Sequence, residues 1–166
     1  MRSEEVLRVL DWLAGEGIVV WVDGGWGVDA LLERQTRDHS DLDLVMDALA
    51  ISSFNAALLA EGFEVVRDWL PTAIAFRHPD GRAIDLHPVE ITPDGGGDQV
   101  QLDGERRFHY AAPTSGRIGS GYVACCTVET QIASHLGYQP NEVDFADMEA
   151  IAVRFGCELP PPYRRS

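Results

Sequence analysis

Three aspartates and a pair of glycines carry the chemistry this sequence suggests. Gly24 and Gly25 stand in Trp21-Val22-Asp23-Gly24-Gly25-Trp26-Gly27-Val28-Asp29. Asp41 and Asp43 stand in Asp38-His39-Ser40-Asp41-Leu42-Asp43-Leu44-Val45, and Asp85 in Arg82-Ala83-Ile84-Asp85-Leu86-His87-Pro88. A Gly-Gly pair after an apolar run and before a helix lets the backbone come close to a ligand and donate N–H groups, which is what phosphate oxygens need. Strand periodicity puts Asp41, Asp43 and Val45 on one face and Leu42, Leu44 and Met46 on the other, with the two carboxylates about 7 Å apart. Paired carboxylates are the hard oxygen donors that magnesium takes. Asp85 shares a strand face with Ala83 and His87. If that strand lies beside the first, three carboxylates converge, and the third can take a proton from an attacking hydroxyl. Together these residues describe a site that moves a phosphorus group from a nucleotide to an acceptor. Arg37 and His39, just before the first two aspartates, are within reach of phosphate oxygens. The ordinary alternatives are a plain strand-to-helix turn at the glycines, a solvated strand end at Asp41 and Asp43, and exposed side chains at Arg37, His39 and His87.

These residues need elements to position them. Val6, Leu7, Val9, Leu10 and Leu13 predict a helix opening at Ser3 and closing before Gly15. Residues 18–22 predict a buried strand, 25–32 a short helix, 42–46 a strand, 51–59 a helix ended by Gly62, and 64–68 a strand. The runs 72–78 and 82–88 predict two strands joined at Asp80-Gly81, a hairpin signal. Residues 93–98 read as a mobile loop, 100–108 and 121–127 as strands, 128–136 and 142–155 as helices, and 159–162 as an extended tail. The pattern predicts an α/β or α+β fold, a mixed sheet flanked by helices with two more helices at the C-terminus.

The chain has 166 residues, 45% hydrophobic and 24% charged, enough for one domain with a core. It has no apolar run of membrane-spanning length and no signal-peptide core at the N-terminus, so no membrane partner and a cytoplasmic location are expected. Three cysteines, Cys125, Cys126 and Cys157, without a Cys-x-x-Cys, argue against a disulfide framework and against zinc. Thirteen basic and 27 acidic residues give a net charge of -14. No basic stripe is present, so nucleic acid is not expected as a partner. A small cationic molecule is favoured, and a nucleoside triphosphate must arrive with its charge masked by magnesium.

The segment Trp21 to Leu32, followed by Gln35-Thr36-Arg37-Asp38-His39-Ser40-Asp41-Leu42-Asp43-Leu44, resembles the small antibiotic nucleotidyltransferases of the polymerase-β superfamily. It is most similar to the lincosamide nucleotidyltransferases, then to the aminoglycoside 2''-nucleotidyltransferases. Ala83-Ile84-Asp85-Leu86-His87 matches the strand carrying that superfamily's third aspartate. His135-Leu136-Gly137-Tyr138, with Asp144 and Asp147, resembles the C-terminal helical segment of the lincosamide group. The resemblance implies a nucleotidyltransferase core over residues 1–110 and a C-terminal strand and helical segment over 111–166 packed on it. It implies Gly24 and Gly25 at the triphosphate, Arg37 and His39 near the phosphates, and Asp41 and Asp43 on magnesium. Asp85 becomes third metal ligand, general base, or both. The expected reaction moves AMP from ATP to a hydroxyl of a lincosamide and releases pyrophosphate. An aminoglycoside acceptor, a macromolecular acceptor and a nucleotide-binding module without catalysis stay open as alternatives. A homodimer in which a second copy completes the acceptor pocket is a further expectation.

Overall fold

Alternating apolar strands and amphipathic helices organise the chain into a mixed sheet with helices packed on it. The computed structural model describes residues 1–164. The elements run α1 (Ser3–Gly15), β1 (Trp21–Asp23), α2 (Gly24–Leu32), β2 (Leu42–Asp47), α3 (Ile51–Ala60), β3 (Glu64–Trp69), β4 (Ala73–Arg77) and β5 (Ala83–Ile91). They continue with β6 (Gly97–Val100), β7 (Arg107–Tyr110), β8 (Thr114–Ile118), β9 (Gly121–Cys125), α4 (Val128–Ser134) and α5 (Glu142–Phe155). The sheet order is β3-β4-β5-β2-β1-β9-β8, and the β6–β7 hairpin attaches to the far end of β5. β2 pairs with β5 and β1 with β9 in parallel, and the other neighbours are antiparallel.

The two faces of the sheet have different jobs. Val22, Leu42, Leu44, Met46, Ile74, Phe76, Ile84 and Leu86 form one face and bury against α1, α2 and α3, where Val6, Leu13, Trp26, Phe54 and Leu58 close the main core. This is the apolar set predicted by alternation. Val45 and Val89, on the opposite face, are also buried, because Tyr110 and Phe108 of the β6–β7 hairpin cover them together with Trp21. The part of that face beyond the hairpin carries Asp23, Asp43 and Asp85. α2 is buried at seven positions, Trp26 to Leu32, since the sheet lies on one side and α5 on the other.

Several expected boundaries shift. The first strand covers Trp21–Asp23, while Val19 is 75% exposed and lies outside it. The segment read as a loop over 93–98 is a tight turn followed by a strand that starts at Gly97. A side chain on Gly97 would collide with Val89, so glycine serves close packing there. The single strand expected over 100–108 is two, folded about the Gln101–Arg106 turn. β8 carries no alternating apolar pattern and is an addition; its Gly116 sits against the backbone of Ala30. The tail turns back at Pro160, and Tyr163 is buried on α5 with its hydroxyl donating to the His135 carbonyl at 2.8 Å.

Candidate active site

The antiparallel β1–β2 pairing and the parallel β2–β5 pairing put three aspartates in one row. Asp23 is the register partner of Asp43, and Asp43 is the register partner of Asp85. Residues in register on neighbouring strands share a face, so all three carboxyl groups leave the sheet on the same side. Asp41 precedes β2 by one residue and accepts a hydrogen bond from the Ser40 hydroxyl at 3.1 Å. The sequence brings Asp41, Asp43 and Asp85 together only if their strands are neighbours; the fold makes β2 and β5 neighbours, adds Asp23 and sets Asp43 in the middle.

The protein surrounds each carboxylate with a polar partner. His87 Nε2 lies 3.4 Å from Asp43 Oδ1. Gln99 Nε2 donates to the Thr72 carbonyl at 2.8 Å and lies 3.2 Å from His87 Nδ1. That contact assigns the proton of a neutral His87 to Nε2, facing Asp43. Arg67 Nη2 on β3 holds Asp85 Oδ2 at 2.5 Å. Gln131 Nε2 on α4 donates to Asp23 Oδ1 at 3.0 Å. Burial pushes the Asp43 carboxyl above the usual carboxylate range; His87 opposes the rise, and the charges of Asp23 and Asp41 add to it. Burial would lower the His87 imidazole, but its pairing with Asp43 outweighs that and raises it.

The glycines fit around these groups. β1 runs straight into α2 at Gly24, whose φ of 56° is left-handed backbone that favours glycine. A β-carbon on Gly24 would overlap the Asp43 carboxylate, and one on Gly25 would overlap the His39 ring and the Arg37 guanidinium. The missing side chains therefore admit Asp43, Arg37 and His39 to the start of α2, where free N–H groups and the positive end of the helix dipole lie. Arg37 Nη2 is fixed by Asp147 Oδ2 of α5 at 2.8 Å, and the Arg37 side chain keeps 34% of its exposure.

His39 is more buried than its setting in the sequence suggested: its side chain is 2% exposed, its Nε2 is bonded to Asp29, and its ring packs on Trp26 at 4.6 Å between centroids, while its Nδ1 faces Gly25. Asp29 also accepts from the Thr36 backbone N–H at 3.0 Å and from the Thr36 hydroxyl at 2.6 Å. It thereby pins the loop that delivers Arg37 and Asp41. Asp29, Asp147, Arg67 and Gln131 are site residues that the sequence reading missed. Asp23 had a signal, being the polar end of an apolar run directly before the glycines. Asp29 and Asp147 lay in segments quoted for the resemblance but without a partner to assign them, and Arg67 and Gln131 gave no signal, since Asp85 and Asp23 reach them only through the fold.

The donor set suits a hard divalent cation. It is all carboxylate oxygen, and like charges crowd Asp43, a condition that a cation relieves. Among the described residues no group of three or more His, Cys, Asp or Glu side chains is already gathered as a metal cage, since Asp43 and Asp85 lean toward His87 and Arg67. Cys125, Cys126 and Cys157 are free thiols. No helix among the described residues is long and apolar enough to cross a membrane.

Known proteins share this sequence pattern and fold. Residues 5–151 match the sequence model of the family described as aminoglycoside-2''-adenylyltransferase. A lincosamide resistance protein of Staphylococcus haemolyticus is 28% identical over 153 residues, which cover 90% of this chain and 93% of that protein. The crystal structure of the lincosamide antibiotic adenylyltransferase LnuA with lincomycin bound is similar, with 27% identity, a TM-score of 0.79, and coverage of 89% of this chain and 94% of that one. The crystal structure of ANT(2'')-Ia with adenylyl-2''-tobramycin shares the fold, with 18% identity, a TM-score of 0.74, and coverage of 93% and 89%.

Proposed function

The chain belongs to the aminoglycoside-2''-adenylyltransferase family and is an antibiotic nucleotidyltransferase; from that premise, we propose that it transfers AMP from ATP to a hydroxyl of a lincosamide and releases pyrophosphate. The observation that carries the reading is the row Asp23–Asp43–Asp85 beside the glycine-opened start of α2. The lincosamide is favoured over an aminoglycoside by the relatives with more than a quarter of their residues identical to this chain.

In this reading the backbone N–H groups at Gly24 and Gly25 donate to the triphosphate, and Arg37 adds a positive charge beside them. Asp41, Asp43 and Asp85 would hold magnesium, which when bound neutralises charge on the phosphate oxygens. His87 keeps Asp43 oriented through its Nε2 proton. Asp85 accepts the proton of the acceptor hydroxyl as its oxygen bonds to the α-phosphorus and the bond to pyrophosphate breaks. Arg67 holds Oδ2 of Asp85, which directs Oδ1 to the reaction. Asp29 fixes the loop through Thr36 and His39, and the Nδ1 of His39 faces Gly25 on the phosphate side.

The test is a transfer screen with ATP, GTP, CTP and UTP against lincosamides and aminoglycosides, read by mass. The expected result is a single adenylyl group on lincomycin or clindamycin with ATP. Transfer to kanamycin and to no lincosamide would replace the acceptor and leave the mechanism in place. No transfer to either would overturn the reading.

A further inference from the structure

The row of register partners does not stop at Asp85. Ala75 on β4 pairs with Asp85, and Arg67 on β3 pairs with Ala75, so Arg67 and Asp85 rise from the same face with only a methyl group between them. Arg67 crosses that gap to reach Asp85. Its guanidinium carbon lies 4.5 Å from the ring centroid of Trp69, two residues further along the same strand face. Trp69 is 50% exposed. An exposed indole on an edge strand is usually without consequence. This one is held through Arg67 by the third aspartate, on the acidic face of the sheet, and no step described above uses it.

We infer that Trp69 is a specificity-determining residue, the platform on which the sugar ring of the acceptor packs. The inference rests on the proposed function and adds the acceptor's subsite to it. β3 and β5 are two strand spacings apart, roughly 9–10 Å. A sugar ring laid against the part of the half-exposed indole that Arg67 does not cover can therefore turn a hydroxyl past the guanidinium toward Asp85. The C–H face of a saturated ring suits the negative face of an indole, while its hydroxyls stay at the rim. Arg67 sits between platform and carboxylate and already supplies the cationic partner of Asp85. An ammonium group there meets a like charge. The subsite thus takes a sugar whose ring carries hydroxyls, with any amine held away from it, and disfavours a sugar substituted with several ammonium groups.

The experiment measures steady-state kinetics with Mg-ATP and lincomycin for the wild type and for Trp69→Ala, Trp69→Leu and Trp69→Phe, with thermal melting as a check on folding. The KM for lincomycin should rise roughly tenfold in the Ala and Leu variants. The KM for ATP should stay within about twofold, and Phe should retain most of the acceptor affinity. An unchanged KM for lincomycin in both Ala and Leu variants, or an equal loss for ATP, overturns the inference while transfer by the wild type stands. A wild type that modifies no sugar-bearing acceptor overturns the proposed function and this inference with it.

Discussion

Asp43 and Asp85 lie side by side on the parallel strands β2 and β5, in direct register, although 41 residues separate them in the chain. Strand spacing alone sets their backbones about 4.8 Å apart. Two carboxylates that close repel unless something positive joins them. Without a metal the row is relieved from outside, by the hydrogen bond of His87 to Asp43 and the charge of Arg67 at Asp85. A magnesium ion bound there under the proposed function competes with both partners.

Asp85→Asn separates chemistry from binding. The amide keeps the shape and loses the charge and the basicity. If Asp85 mainly accepts the proton, kcat should fall by about a hundredfold or more with the KM for ATP little changed. If it mainly ligates metal, calorimetric titration should show weaker Mg-ATP binding as well. Turnover equal to the wild type would remove Asp85 from the mechanism.

Gly24→Ala should damage fold and activity together. The left-handed backbone at Gly24 costs a side-chain-bearing residue roughly 1–2 kcal/mol. The new methyl group would also displace the Asp43 carboxylate. Chemical denaturation should show the stability loss, and transfer should fall at least about tenfold even where the protein remains folded.

The Arg37–Asp147 pair ties α5 to the start of α2. Asp147→Ala frees Arg37 from its fixed position, so the KM for ATP should rise about five- to tenfold, as in Arg37→Ala. The double variant should be no worse than either single one, with a coupling near 1 kcal/mol, since Arg37 is one-third exposed and solvent screens the pair. Additive losses in the double variant would show that Asp147 does not act through Arg37.

His39→Ala separates the support this residue gives the fold from its place beside Gly25. It leaves Asp29 buried without one of its partners and opens a gap beside Trp26. Unfolding free energy should drop by roughly 2–4 kcal/mol in denaturant titration. The KM for ATP, measured well below the melting temperature, should change much less than in Arg37→Ala. The reverse pattern would make His39 chiefly a phosphate ligand.

What the sequence made legible follows from how local each signal is. Alternation along Leu42–Met46 and the Gly24-Gly25 pair between apolar runs are short-range patterns, and they located the site face and the start of α2. Asp80-Gly81 located the β4–β5 hairpin in the same way. Strand order is a long-range property, so Asp23 joined the row only once β1 was seen beside β2. The sequence set His39 near the phosphates without a sign of its burial, which depends on Asp29 and Trp26. Gly96 and Gly97 suggested mobility, whereas they admit Tyr110 and Val89 to close contact. Arg67, in an edge strand without apolar alternation, gave no sign of the carboxylate it holds.

The central claim is that this row of carboxylates transfers AMP with magnesium. The most direct measurement incubates lincomycin and ATP with the wild type and with Asp43→Asn, each with magnesium and with chelator, and follows adenylylated lincomycin by mass. The account predicts product from the wild type only when magnesium is present and almost none from Asp43→Asn, with both proteins folded by circular dichroism. Product formed at the wild-type rate by Asp43→Asn, or formed equally well in chelator, would contradict it.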